Sequence, residues 1–254
     1  MSLLFITAGT KGGIGKTFTA TMLADIAISK KQETVLYDCD NENESLKKAY
    51  AQPAKNCRLV SVDLNATKTG YPLDIVVNDI VRTEKETKGK KPVVYLMDMK
   101  AGTTHYTLDW MCAFPFSFIR SLGVQIFIVG CVTSDVDSAY TLSRWLYRFT
   151  DDMKNGNLRF LIVKNGFQGT DFTSYNNILK DFVELESCFE TVTLPELEPF
   201  YMKPIKENST SFGQVAMGKS TVNGFDFMAI YRIKENFEIL SEKFASVWQA
   251  LDKK

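Results

Sequence analysis

Lys11, Gly12, Gly13, Ile14, Gly15, Lys16, Thr17 and Phe18 put three glycines, two lysines and a hydroxyl into eight consecutive positions. Glycines at 12, 13 and 15 permit positive φ angles, so backbone N–H groups can close on an anion. A helix beginning near Lys16 points its positive end at the same place. The Lys16 ammonium then suits the β- and γ-phosphates of a nucleoside triphosphate, and the Thr17 hydroxyl suits Mg²⁺. The pattern GxxxxGK[ST] is met except at its first letter, where Thr10 stands. One lysine is enough to hold a phosphate, which leaves open what Lys11 is for.

Other polar residues end apolar runs. Asp38 and Asp40 close "TVLYDCD", and their spacing of two puts both carboxylates on one side of an extended chain. Asp98 closes "VVYLMDM". Asn165 closes "LRFLIVKN", and an amide can pair both donor and acceptor with the edge of adenine. For Asp38, Asp40 and Asn165 a turn at the end of a strand is the competing role.

The elements that position these residues are legible as apolar runs. Strands are predicted at 3–8, 34–40, 93–99, 125–132, 158–165 and 189–194, and helices at 16–29, 72–82, 137–149 and 173–183. The charged stretch "TEKETKGKK" reads as a solvated loop. Continuous apolar strands alternating with helices indicate an α/β fold, a parallel sheet with helices on both faces. Ligands in such folds bind at the carboxyl ends of the strands, where the glycine loop, Asp38, Asp40, Asp98 and Asn165 all fall. No repeat or long linker divides the 254 residues, so one domain over 1–254 is predicted.

Thirty basic residues balance thirty acidic ones, so any nucleic-acid contact needs a local patch. The five cysteines are scattered with no CxxC pair, which fits reduced thiols in the cytoplasm. With His105 as the single histidine, a zinc site or histidine-based catalysis is disfavoured. No secretory signal is seen. The apolar stretch 110–132 is interrupted by Pro115, Arg120 and Gln125, and splits into a helix or loop and a buried strand rather than a membrane span.

"KGGIGKT" resembles the deviant Walker A motif of the ParA/MinD family of ATPases, whose partition branch commonly lacks a glycine at the position of Thr10. The resemblance follows strand order over most of the chain, with its specific motifs at 7–17, 37–40 and 98–102. It implies a P-loop NTPase fold with ATP and Mg²⁺ as ligands. Lys16 then acts in its own subunit, while Lys11 crosses a nucleotide-dependent homodimer interface to the partner's phosphates. Asp40 corresponds to the residue that positions the attacking water, and Asp38 to one near the Mg²⁺ coordination sphere. Asp98 corresponds to the Walker B aspartate that holds Mg²⁺ through water. Gly12, Gly13, Ile14, Gly15, Lys16, Thr17, Phe18 and Asn165 become the nucleotide-binding set, with Gly102 offering an N–H to the γ-phosphate. Two departures stand out. Asn41 and Glu42 replace the usual Pro-Gln or similar pair, and Lys100 stands where proline is usual, read here as a solvated loop residue.

The implied task is ATP-driven positioning of cargo, with plasmid or DNA partition leading, and non-specific DNA and a ParB-like activator as partners. A conjugative-transfer or secretion-associated ATPase of the TraL type is a close alternative. A small-molecule kinase or synthetase of the dethiobiotin synthetase type is one of another class, and a nucleotide-gated scaffold a third. Phe237, Leu240, Phe244, Val247, Trp248 and Leu251 form an apolar stripe at helical spacing. Its polar face mixes Glu235, Glu238, Glu242 and Asp252 with Lys243, Lys253 and Lys254, so it reads as a docked helix, not a membrane grip. Lys203, Lys206, Lys219, Arg232 and Lys234 are sparse enough to be either a DNA-phosphate face or plain surface. Phe114, Phe116 and Phe118 read as core.

Overall fold

The computed structural model describes residues 1–9, 11–65, 71–87, 90–102, 104–167, 169–197 and 199–252, so Thr10, Lys253 and Lys254 lie outside the described residues. In chain order, β1 (Ser2–Ala8) leads into α1 (Lys16–Ser29), then β2 (Glu33–Cys39), α2 (Ser45–Ala49), β3 (Cys57–Ser61), α3 (Asp74–Thr87) and β4 (Val93–Met99). There follow α4 (Thr104–Cys112), α5 (Phe116–Ser121), β5 (Val124–Val132), α6 (Val136–Arg148), α7 (Thr150–Lys154), β6 (Arg159–Asn165), α8 (Thr173–Leu179), a 3-10 helix (Lys180–Cys188) and β7 (Phe189–Leu194). The chain closes with α9 (Pro199–Glu207), α10 (Phe212–Ala216), α11 (Phe227–Lys243) and α12 (Ala245–Asp252).

The seven strands make one parallel sheet in the order β3-β2-β4-β1-β5-β6-β7. Period-two alternation divides each strand between two cores. Leu3, Phe5, Leu96 and Phe127 face α1, α2 and the C-terminal helices. Leu4, Ile6, Tyr95 and Ile126 face α3–α8. β1, β4 and β5 are buried along their whole length, which is why they read as unbroken apolar runs.

Several expectations need correction. β3 has no counterpart among the predicted strands: "CRLVS" is a short edge strand, half exposed, without the apolar run that marks the others. α3 continues through Thr87 into the charged stretch, because Asp79 and Glu84 are buried there and bonded to Tyr37 and Tyr95 at 2.7 and 2.8 Å. The segment 173–183 divides, α8 giving way to the 3-10 turn. Phe114 and Phe116 are core, but Phe118 is 46% exposed. The C-terminal stripe is docked as expected, with Phe237, Leu240, Phe244, Val247 and Trp248 buried, but it spans two helices. No helix among the described residues is long and apolar enough to cross a membrane.

A buried polar knot fastens α1 to the C-terminal half. The fully buried Asp25 carboxylate accepts from the Tyr50 hydroxyl (2.7 Å), the Ser211 hydroxyl (2.9 Å) and the Gly213 N–H (2.9 Å). α10 approaches so closely that a Cβ at Gly213 would lie 2.4 Å from the Asp25 Cβ and 2.6 Å from Phe237. Burial pushes the Asp25 carboxyl from 3.8 up to about 6 against those three donors. A carboxyl raised on folding favours the folded state most at low pH, and that contribution is lost as pH rises through its folded value. Asp25→Asn, which cannot ionise, removes this dependence. Denaturant midpoints should show wild type losing about 3 kcal/mol relative to Asp25→Asn between about pH 4 and about pH 7. A gap constant with pH would refute the assignment.

Candidate functional site

β1 lies between β4 and β5, where the strand order turns back, and its carboxyl end opens into the glycine loop. Gly9, Gly13 and Gly15 have φ of 128°, 76° and 100°, in the left-handed region that favours glycine. Gly15 is the residue before α1, so the first N–H groups of that helix face the loop. Lys16 is 6% exposed, and its ammonium donates to the Lys11 carbonyl at 2.7 Å, closing the loop on itself. Burial pushes the Lys16 ammonium down from its ordinary value, while Cys131, Asp98 and Asp40 pull it back up.

Asn165 supports the loop from behind. Its amide donates to the Ile14 carbonyl at 3.0 Å and accepts from the Phe167 N–H at 3.2 Å. A Cβ on Gly15 would lie 2.5 Å from the Asn165 Nδ2. Gly15→Ala therefore combines about 1–2 kcal/mol of backbone strain with the expulsion of Asn165. It is expected to lower the melting temperature and weaken nucleotide binding together; an unchanged melting temperature would contradict this packing.

The acids gather beside the loop. Asp38 and Asp98 are register partners on β2 and β4, 3% and 2% exposed. Asp98 is hydrogen-bonded to the Thr17 side chain and accepts from the Thr7 hydroxyl at 3.2 Å. The same Thr7 oxygen accepts from the Met99 N–H at 2.9 Å, so Thr7, which sequence reading missed, fixes where Asp98 points. Burial pushes the Asp98 carboxyl from 3.8 up to about 7, with Asp38 adding to the rise and Thr17, Thr7 and Lys16 opposing it. Burial also raises Asp38, whose carboxylate accepts from the Lys47 N–H (2.7 Å) and the Asp40 N–H (3.0 Å). Two buried carboxylates with a hydroxyl at one end of an anion cradle are a donor set suited to a hard cation. No group of three or more His, Cys, Asp or Glu that could hold a metal unaided occurs among the described residues. Mg²⁺ held here would take most of its remaining ligands from phosphate and water.

Asp40 stands at the rim, half-buried, its carboxylate accepting from the Glu42 and Asn43 N–H groups at 3.2 Å each and from the Asn43 Nδ2 at 2.9 Å. A cleft of about 710 Å³ runs from Gly12, Gly13, Lys16 and Thr17 past Phe18 and Asp40 to α9 and α10, where Met202, Ile205 and Phe212 line it. Ile14 and Asn165 do not line it; they pack beneath the loop. Gly102 has φ 80°, with open space where a Cβ would sit. Lys11 is ion-paired to Asp135, the residue that caps α6 through the Asp137 N–H (2.9 Å). That pairing raises the Lys11 ammonium and lowers the Asp135 carboxyl. Lys100 is paired with Glu42 at 2.6 Å, correcting the reading of it as a merely solvated residue.

Of the five C-terminal basic residues, Lys206 lines the same cleft, while Lys203 and Arg232 stand beside acids. Lys203 is 3.9 Å from Glu207, and Arg232 lines a groove with Glu196, Glu235, Glu238 and Glu242.

A family model described as the CobQ/CobB/MinD/ParA nucleotide-binding domain matches residues 5–249. No curated protein sequence matches the chain. Among solved structures, the ATP complex of an alanine variant of McdA from Cyanothece is similar over 100% of this chain and 97% of that one, at 15% identity and a TM-score of 0.51. Apo McdA from Cyanothece is similar over 96% and 99%, at 14% identity and a TM-score of 0.51. The MinC:MinD cell division protein complex of Aquifex aeolicus is similar over 95% and 96%, at 17% identity and a TM-score of 0.49. At these identities the first two likenesses speak for the fold alone.

Proposed function

We propose that this chain, which belongs to the CobQ/CobB/MinD/ParA nucleotide-binding family, binds Mg·ATP in the glycine-loop cleft, dimerises around it and hydrolyses it to position or segregate cargo. Plasmid or other DNA cargo is the leading case. The observation that carries the reading is the convergence of the left-handed glycine loop, the buried Lys16 and Thr17 at one end of one cleft, with the buried Asp98 bonded to Thr17 behind them.

The residues divide the work by position. Backbone N–H groups of Gly12–Thr17 hold the phosphates, and Lys16 neutralises charge that develops on the γ-phosphoryl during transfer. Thr17 and Asp98 would hold Mg²⁺, with Asp38 beside them, and the cation would supply charge against the developing negative charge of the phosphates. Asp40, at the rim, orients the attacking water. Lys11 leaves Asp135 for the phosphates of the other subunit, exchanging one anion for a denser one. This makes the dimer depend on ATP.

Asp40→Ala is expected to trap the ATP dimer: turnover falls about 100-fold while the dimer persists. Faster dimer dissociation than wild type would remove Asp40 from the water-positioning role. The deciding experiment for the function is sedimentation without nucleotide and with ADP, ATP or a slow analogue, alongside hydrolysis with and without DNA. ATP-dependent dimers with measurable turnover support the proposal. Turnover only with an added metabolite would favour a small-molecule kinase. ATP binding without turnover would make the chain a gated scaffold. DNA enters as a stimulator to be tested, since Lys203 and Arg232 stand among acids.

A further inference from the structure

We propose that Glu42 and Lys100 form a latch between the two loops at the carboxyl edge of the sheet, and that this latch positions Asp40 for hydrolysis. The inference rests on the function proposed above. β2 and β4 run in register as far as Cys39 opposite Met99, and there the ladder ends. Lys100 is the next residue on one side and Glu42 lies three residues on along the other. Their side chains meet at 2.6 Å, bridging the strands where the backbone no longer does.

Each end of the bridge is tied to the site. Asp40 accepts from the N–H of Glu42 itself and of Asn43, so the turn that Lys100 grips also aims the Asp40 carboxylate. Two residues before Lys100, Asp98 is fastened to Thr7 and Thr17. Met99 and Ala101, on either side of Lys100, line the cleft with Asp40 and Asn43. A continuous path thus runs from the phosphate loop through Asp98 and the latch to Asp40. Beyond Cys39 and Met99 no ladder bond restrains the two loops, and the ion pair supplies a restraint there. The Glu42 side chain is 72% exposed and that of Lys100 is 26% exposed, so the pair is open to water and modest in strength. It is suited to aligning a loop rather than to holding the fold together.

The test uses the full chain. Glu42→Gln and Lys100→Gln should each lower kcat for ATP about fivefold, the upper end of what an exposed ion pair supplies, with KM and nucleotide Kd unchanged. The reversed pair E42K/K100E should recover most of the loss. Hydrogen exchange without nucleotide should show the amides of 41–46 and 100–102 faster in each single variant and slowed again in the reversed pair. Single variants with wild-type kcat and wild-type exchange would overturn the latch. So would a reversed pair as slow as Lys100→Gln, because Lys100 would then act by its own charge on the substrate. A wild-type chain without ATP turnover would sink the proposed function and the positioning role with it. The nucleotide-free exchange would still report whether the two loops are joined.

Discussion

Lys16→Ala is expected to lower kcat/KM for ATP by about a thousandfold, the scale of losing a buried charge aimed at a reacting anion. Two losses combine. The first is the only lysine of the loop that is buried in its own cleft, with its ammonium fixed on the Lys11 carbonyl. The second is electrostatic. Asp98 is already raised to about 7 by burial and by Asp38, and Lys16 is among the groups that hold it down. Without that ammonium the buried Asp98 loses one of the groups that favour its carboxylate form. Binding of a fluorescent ATP analogue and steady-state hydrolysis measure the two losses separately. Wild-type kcat/KM in this variant would remove the loop from the chemistry altogether.

Lys11→Ala should behave in the opposite way. Its ammonium reaches outward to Asp135 rather than into the cleft, so monomer nucleotide affinity should stay within about twofold of wild type. The ATP-dependent dimer should disappear, because the cation offered to the second subunit is gone. Asp135→Asn serves as the control. It keeps an acceptor for the Asp137 N–H, preserving the cap of α6, and frees Lys11 from its internal anion. Sedimentation with a slow ATP analogue should show no dimer for Lys11→Ala and a dimer at least as tight as wild type for Asp135→Asn. A normal dimer formed by Lys11→Ala would defeat the cross-subunit role.

What the sequence revealed and what it hid follow from the range of the interactions. The loop from Lys11 to Thr17 and the helix after it are local, so spacing alone located them. β1, β4 and β5 are covered on both faces and show as apolar runs. β3 sits at the sheet edge with mixed residues and shows no such run. The charged end of α3 hid its helix because Asp79 and Glu84 are buried against partners on other elements: Asp79 pairs with Arg58 and accepts from Tyr37, and Glu84 accepts from Tyr95. Candidate site residues at strand ends were legible from the fold class. Their orienting partners were not: Thr7 acts on a residue 91 positions away and Asp135 on one 124 positions away. For Asn165 the position was legible, but not that its amide holds the Ile14 carbonyl.

The knot at Asp25 bears on how this protein can be cut. The helix that opens at the glycine loop is anchored at Asp25 by Ser211 and Gly213, which follow that residue by 186 and 188 positions. A version ending before residue 211 would keep every glycine and both lysines of the loop. It would nonetheless strand a buried carboxylate and release the helix from its mooring, so trimming the tail would blunt a grip made at the other end of the polypeptide.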